Sequence, residues 1–527
     1  MSGLSHHLRR EWFVLALILV VAAGFRFWAL DSAPPGLYPD EAMNGNNALE
    51  VLHSGNPDVF YPQNNGREGL YANLQAISIS LFGNTPFALR VVSALMGLLT
   101  VLGTYLLTRR LFDNWGIAAL AAFLMAIGFW HVNFSRIGFR AIMAPMFGVW
   151  SFYYLAQALR TGRHWHWLLA GALLGLGMHT YIAFRIMPVV ALLVLLVYWQ
   201  AVRRDFSGHK YTETRNRLAR GLVWALVAFA LVVLPLAWYF FNHPGSFTGR
   251  TTQVSVFSSA TPVTDVSINT VRTLGMFVTS GDLNWRHNLA GEPILVWPVA
   301  ALFVVGLMRS FLKVGRTLRT HGHISTVHAL LLGWFVFGLV PAVVSNEGIP
   351  HALRAILVAP PVYIFAAEGL WWLYTYIRRS YHVRDARMLC MPDYLAPGSH
   401  GHEQCTSRSR LVAVGTLSVF LFALTVQSAS SYFRVWARHQ QTRASFNEEY
   451  VELAERISHA RVASPVYVIV EARGVLVDGI PMPAQTVMFL TDSWTPLQQE
   501  RTGIHYLTPE QARTTRIPSD AAVFTLR

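Results

Sequence analysis

Charge is scarce in this chain of 527 residues. Asp, Glu, Lys and Arg together make up 13%, about half of what soluble globular domains carry. That scarcity excludes an ordinary soluble enzyme. Lysine is nearly missing: Lys210 and Lys313 stand against 40 arginines. Cysteine is limited to Cys390 and Cys405, too few and too close for a disulfide framework. No internal repeat of the kind that marks many transporters is visible. The formal net charge of +14 does not signal nucleic acid, because the basic residues cluster between apolar runs, as cytoplasmic membrane loops do.

What the chain has instead is apolar length. It is 53% hydrophobic and 13% aromatic, with a mean hydropathy of +0.36. Apolar runs lie near 12–30, 88–108, 116–134, 139–158, 166–184, 186–202, 221–241, 293–309, 327–345, 353–376 and 411–431. Each can cross ~30 Å of hydrocarbon, so about eleven transmembrane helices are expected. The first, after a basic start, is too long for a signal-peptide core and reads as an uncleaved span. A twelfth stretch, "LYANLQAISISLF" (70–82), would be about 20 Å long as a helix. It also carries Asn73, Gln75, Ser78 and Ser80, and suits an interfacial or re-entrant helix.

Charge arbitrates the topology. With 70–82 not crossing and the N-terminus cytoplasmic, the basic clusters at 9–10, 109–110, 160–163, 203–220, 309–319 and 378–410 all fall inside, as membrane insertion favours. If 70–82 crosses, they all face out. The first choice puts loop 31–87, the turns 134–140 and 180–186, and the loops 242–292 and 345–354 on the outer side. The C-terminal segment 432–527 joins them. Arg26 is close enough to the outer end of its span to snorkel, and Glu368 lies deep in its own. The expected organisation is a multi-span domain, 1–431, with its site in loop 31–87. A small extracytoplasmic α/β appendage, 432–527, follows. In the appendage "FNEEYVELAERISHA" reads as an amphipathic helix, and "PVYVIVEA", "TVMFLT" and "AAVFTL" read as strands.

The chemistry-bearing residues gather at the outer face. "YPDEA" places Asp40 and Glu41 side by side. Its plain reading is a turn at Pro39, with Asp40 capping a helix 41–53 and Glu41 favouring its first turn. Its functional reading is a general base, because neighbouring carboxylates at an apolar surface repel and raise at least one pKa. Arg67, Arg90, Arg136, Arg140, Arg185 and Arg354, with His351, are candidates to hold an anionic lipid phosphate. Each alone is also readable as an interfacial arginine. Arg136 and Arg140, four apart, would share a helical face. Asn65 and Glu68 are candidates to position a substrate. No metal or cofactor is required, although Asp40, Glu41 and Glu68 could hold one divalent ion if they converged. In a cytoplasmic loop, Cys390, His400, His402 and Cys405 offer four zinc-type ligands at irregular spacing; the plain reading is a Gly- and Pro-punctuated loop.

The N-terminal span, the outward Asp-Glu pair and "LFGNTPFALRVVSALMGLLTVLGTYLLTRRLF" resemble the protein O-mannosyltransferase and aminoarabinose-transferase group of GT-C fold glycosyltransferases. The resemblance is firmest over 12–112. It continues through "SRIGFRAIMAP", "HTYIAFRIMP" and "IPHALRAILVAPP" and does not reach the C-terminal segment. It implies an all-α, GT-C-like polytopic fold in a bacterial inner membrane. It also implies transfer of a sugar from a polyprenyl-phosphate donor to a lipid, protein or glycan acceptor outside the cytoplasm. By motif, Asp40 corresponds to the catalytic carboxylate and Arg90 to an arginine near the donor phosphate. Where relatives carry Pro-Pro-Leu, this chain has "NNGREGLY", so donor or acceptor geometry is expected to differ. The competing readings are a ligase using a pyrophosphate-linked donor and a transporter or lipid flippase. A transporter predicts charged or broken helices at mid-membrane, whereas the polar groups here crowd one face.

Overall fold

The computed structural model describes residues 2–253, 255–388, 400–461 and 464–527. The fold is helical. Among the described residues seven helices are long and apolar enough to cross a membrane: Pro86–Phe112, Ile182–Asp205, Gly208–Asn242, Trp297–His321, Thr326–Val343, Ile356–Arg379 and Leu411–Trp436. The chain is thus a multi-pass membrane protein.

Several expected spans are built differently. The run 116–134 is two helices, Trp115–Ile127 and Phe129–Phe134, separated at Gly128, whose backbone is extended. A side chain there would collide with the Tyr363 hydroxyl. The run 139–158 opens as a 3-10 turn, Arg140–Ile142, before the helix Met143–Thr161. The run 166–184 ends its helix at Met178 and continues as a second 3-10 turn, Ile182–Ile186.

Bare backbone draws the helices together. A Cβ on Gly306 would lie 1.8 Å from the Phe365 carbonyl, and one on Gly369 would lie 2.2 Å from the Leu302 carbonyl. These reciprocal glycines let Trp297–His321 and Ala359–Met388 touch backbone to backbone, the small-residue packing that associates helices where no hydrophobic effect operates. Glu368, on that second helix, is satisfied by Lys313 and by Ser310 Oγ at 3.2 Å. Arg26 does not snorkel. It is fully buried and donates to the carbonyls of Ala22, Met125 and Ala126, with His131 Nδ1 at 2.7 Å. Two of those carbonyls end the helix Trp115–Ile127, where partial negative charge accumulates.

The helix Leu70–Phe82 has 13 residues. Its polar residues are used locally rather than across a membrane. Gln75 Nε2 donates to the Leu89 carbonyl at 2.9 Å and Ser78 Oγ to the Ala88 carbonyl at 2.7 Å. Both acceptors lie in the first turn of Pro86–Phe112, which starts at the Thr85 cap. Ile77, Leu81 and Phe82 stay exposed, an apolar face suited to lie along a bilayer surface.

The C-terminal segment builds a three-stranded parallel sheet in the order Ile504–Leu507, Val466–Val470, Ala522–Leu526. The amphipathic helix Glu448–Ala460 buries Tyr450, Leu453, Ala454 and Ile457. The stretch "TVMFLT" is a helix, Gln485–Leu490, and not a strand. Phe489 packs on Leu37, Ala42, Ala48 and Leu89 of the first loop and its neighbours. Thr486 Oγ1 donates to the Leu37 carbonyl at 2.9 Å, and Asn46 Nδ2 donates to Gln485 Oε1 at 2.8 Å. Burial on every side overrides the β-propensity of Thr, Val and Phe. The segment roofs the first loop instead of hanging from it.

Candidate active site

The helix Pro39–Ser54 starts two residues earlier than the plain reading expects. Pro39 takes the first helical position, where its missing N–H costs nothing. Tyr38 stands at the cap without a capping side chain. Asp40 is therefore inside the first turn and does not cap the helix. It is half-buried, and its Oδ1 accepts from Asn64 Nδ2 at 2.8 Å. Asn64 is held in the left-handed region (φ 49°) at the tip of the hairpin joining Phe60–Tyr61 to Arg67–Glu68. Asn65 sits beside it (φ 65°) and is exposed, so Asn64 and not Asn65 meets the carboxylate.

Glu41 has a different fate. It is fully buried, pairs with Arg90 Nε at 3.1 Å, and accepts the Gly138 N–H at 2.7 Å. Arg90 is equally buried. Its remaining N–H groups donate to the carbonyls of Leu30, Asp31, Pro34 and Gly36. Arg136 is likewise buried, donating to the carbonyls of Phe25, Trp28, Ala29 and Ala33 and stacking near Tyr432 and Phe433. These two arginines hold the loop 28–36 in shape and are not placed to meet a ligand. Nor do Arg136 and Arg140 share a helical face, because the chain turns between them.

Arg67 braces the same helix from the hairpin, donating to Asn44 Oδ1 at 3.0 Å and Asn47 Oδ1 at 2.9 Å. Glu68 is buried between two cations: Arg140 Nε at 3.2 Å and Arg185 at 3.8 Å. Arg354 is turned onto Ser345 and Glu347. His351 lies by Asp282. Glu41 and Glu68 each face arginines, so the three carboxylates near the first loop are not gathered as a cation site. Cys390 lies outside the described residues, as do the side chains of His400, His402 and Cys405, so the zinc reading is not addressed there.

Two residues that sequence reasoning overlooks complete the surroundings of Asp40. Tyr38 makes an edge contact with Phe139, their centroids 6.2 Å apart. Burial, the charge of Asp40 and a hydrogen bond to it push the Tyr38 phenol up to about 12, with Arg286 opposing. It therefore remains a neutral donor. Arg286 places its guanidinium 4.0 Å over the Tyr38 ring. It is only part-buried, and among the described residues no carboxylate lies within ion-pair distance of it. Its position is fixed through the main chain: Asn133 Nδ2 donates to its carbonyl at 2.8 Å, and its own N–H goes to Asn284 Oδ1 at 3.0 Å. The Trp-Arg-His run 285–287 offered no periodic or motif signal to single it out. Beside it, desolvation pushes the buried His287 imidazole below its ordinary value, against the pull of Asp282.

Asp40 thus stands between Tyr38 and Asn64, with Arg286 on the Tyr38 ring, and the turn 138–140 docks on the same helix through Glu41 and Asn44. A half-buried carboxylate whose tyrosine partner carries a guanidinium on its ring can accept a proton while an anion binds nearby.

The fold is GT-C. ArnT from Cupriavidus metallidurans, solved bound to undecaprenyl phosphate, superposes with a TM-score of 0.54 at 14% identity over 90% of this chain and 84% of that one. An oligosaccharyltransferase from Archaeoglobus fulgidus superposes at 0.52 and 14%, over 95% and 64%. In sequence, residues 70–239 match the family model described as dolichyl-phosphate-mannose-protein mannosyltransferase. An undecaprenyl phosphate-α-4-amino-4-deoxy-L-arabinose arabinosyl transferase of Pseudomonas fluorescens (strain Pf0-1) is 31% identical over 241 residues, 43% of this chain and 38% of the relative. One from Pseudomonas aeruginosa (strain UCBPP-PA14) is 29% identical over 190 residues, 34% of each. The chain spans little more than a third of the length of these curated relatives. Residues 70–239 are similar in sequence to that family model, and the solved structures share the fold.

Proposed function

We propose that this protein is a membrane glycosyltransferase. It takes a sugar from a polyprenyl-phosphate donor and gives it to an acceptor hydroxyl at the outer face. Asp40 removes the acceptor proton as that oxygen bonds to the anomeric carbon. The bond from the anomeric carbon to the phosphate oxygen breaks in the same step, its electrons leave with the phosphate, and the configuration inverts. Arg286 neutralises the charge that grows on the departing phosphate. Asn64 and Tyr38 aim the Asp40 carboxylate. Glu41 and Arg90 are positioning residues that hold the loop beneath it.

The single observation that carries this reading is the half-buried Asp40 carboxylate held by Asn64 and Tyr38, with Arg286, which has no ion pair among the described residues, stacked on the Tyr38 ring. The two Pseudomonas relatives are undecaprenyl phosphate-α-4-amino-4-deoxy-L-arabinose arabinosyl transferases, which supports the donor class. A transporter or flippase finds less support, because Arg26 and Glu368 both have hydrogen-bond partners within the bundle. The test is Asp40→Asn in proteoliposomes supplied with labelled polyprenyl-phosphate sugars and membrane-lipid acceptors. Transfer should fall by about 10²-fold or more, the scale of general-base catalysis, with thermal stability retained. Undiminished transfer by Asp40→Asn would reject the assignment.

A further inference from the structure

Behind Arg286, three metal-ligating side chains meet from two separate loops. Asp282 Oδ2 lies 2.9 Å from His287 Nδ1 and 3.9 Å from His351 Nδ1, and one donor atom from each residue lies within 4.8 Å of the others. The imidazole rings are 4.9 Å apart, tilted by 32°. Asp282 and His287 are buried, and the His351 side chain is 15% exposed. We infer that Asp282, His287 and His351 form a binding site for one divalent transition-metal ion of the zinc class, open on the His351 side.

The chemistry of the donor set favours such an ion over calcium or magnesium, which take oxygen ligands. Two imidazoles and one carboxylate are a recurrent three-ligand zinc set, with a fourth position left to water or substrate. With bonds of about 2.0–2.1 Å, neighbouring donors of a tetrahedral zinc stand roughly 3.3 Å apart, so side-chain shifts of under an ångström or so close this triangle. The surroundings are built as they are around metal ligands. Asp282 Oδ1 accepts the Asn284 N–H at 2.8 Å and Oδ2 accepts the Ala352 N–H at 2.8 Å, fixing the carboxylate from outside. Phe134 covers one side of the His287 ring, with centroids 5.6 Å apart. The loop itself is closed by backbone bonds between Gly281 and Gly291 and from Gly291 to Asp282. An ion here ties the loop that carries Arg286 to the segment that follows the helix Thr326–Val343. The plain reading of the same atoms is a hydrogen-bonded Asp–His knot that does this without metal, and the two differ in whether metal is retained.

The experiment uses the purified full chain in detergent, stripped with chelator, reloaded with one equivalent of Zn²⁺ or Co²⁺ and desalted. About one ion should remain per chain, and the Co²⁺ form should show the visible bands of a four-coordinate nitrogen–oxygen site without thiolate charge transfer. Retention should fall at least tenfold in His351→Ala and in Asp282→Asn, and should persist in a Cys390→Ser/Cys405→Ser double variant. The Co²⁺ spectrum of the unmutated chain decides the matter if a variant fails to fold. No retained ion, thiolate bands, or loss of the ion with the cysteines and not with His351 overturns the site.

Discussion

Glu41 and Arg90 form an ion pair at 3.1 Å with neither side chain exposed to solvent. A carboxylate and a guanidinium that look like active-site groups in the sequence are thereby committed to holding the first loop. Four carbonyls between Leu30 and Gly36 take the other arginine N–H groups. Removing either partner leaves a buried charge unmatched, a loss of about 3–5 kcal/mol. Arg90→Ala should therefore lower the thermal midpoint sharply, and Arg90→Lys should not restore it, because an ammonium cannot fan out to the same five acceptors. A normal midpoint combined with a raised donor KM would instead make Arg90 a ligand for phosphate.

Arg286 should behave in the opposite way. It has no ion pair to lose among the described residues, so Arg286→Ala is expected to keep the wild-type thermal midpoint. Donor KM should rise, or kcat fall, by an order of magnitude or more, matching the ~1.5–3 kcal/mol of a charge-assisted hydrogen bond. Arg286→Lys should recover part of the loss. Steady-state kinetics against donor concentration, with a melting curve on the same preparation, separate the cases.

Tyr38 holds its proton up to about 12. Its raised value means that the neutral, donating form persists through the whole working range of pH. Tyr38→Phe should reduce the rate about tenfold by freeing Asp40 from one partner. It should leave any alkaline limb below pH 10 where it was, since no Tyr38 ionisation contributes there. A limb that vanishes in Tyr38→Phe would contradict this.

The position of Leu70–Phe82 decides which side the site faces. In a cysteine-free background, a cysteine at Asn65 should react with an impermeant thiol reagent added to intact cells. One at Arg316 should react only after permeabilisation. Both positions are exposed, so a reversed pattern would reflect topology and would place Asp40 on the cytoplasmic side.

Phe489 fastens the C-terminal segment to the first loop. Phe489→Ala should cost about 3–5 kcal/mol, as large-to-small changes in a packed core do. Limited proteolysis should then cut in both the segment and the first loop, because each covers the other. Cuts confined to the C-terminal segment would show that the first loop stands without its roof.

Much of this protein was determined by its sequence alone. Apolar runs that must satisfy their own backbone can only be helices in a bilayer, so the all-helical polytopic class followed from hydropathy. The stretch 70–82 differed from the rest by its short length and by its polar residues Asn73, Gln75, Ser78 and Ser80. The amphipathic helix after Phe446 and the strands at 466–470 and 522–526 followed from periodicity. "TVMFLT" did not, because a short apolar run is equally a strand or a buried helix until its neighbours are known.

The assignment of charge was left to the tertiary structure. Sequence groups Asp40 with Glu41, and Arg90 with Arg136, because like residues recur near one membrane face. Folding separates them by what surrounds each side chain. Glu41, Arg90 and Arg136 meet carbonyls and opposite charge in the interior, while Asp40 meets Asn64 and Tyr38 at a partly open surface, and Tyr38 in turn meets Arg286 from far along the chain. Electrostatic energy depends on distance and burial, and a contact between residues 38 and 286 leaves no trace in either local stretch of chain.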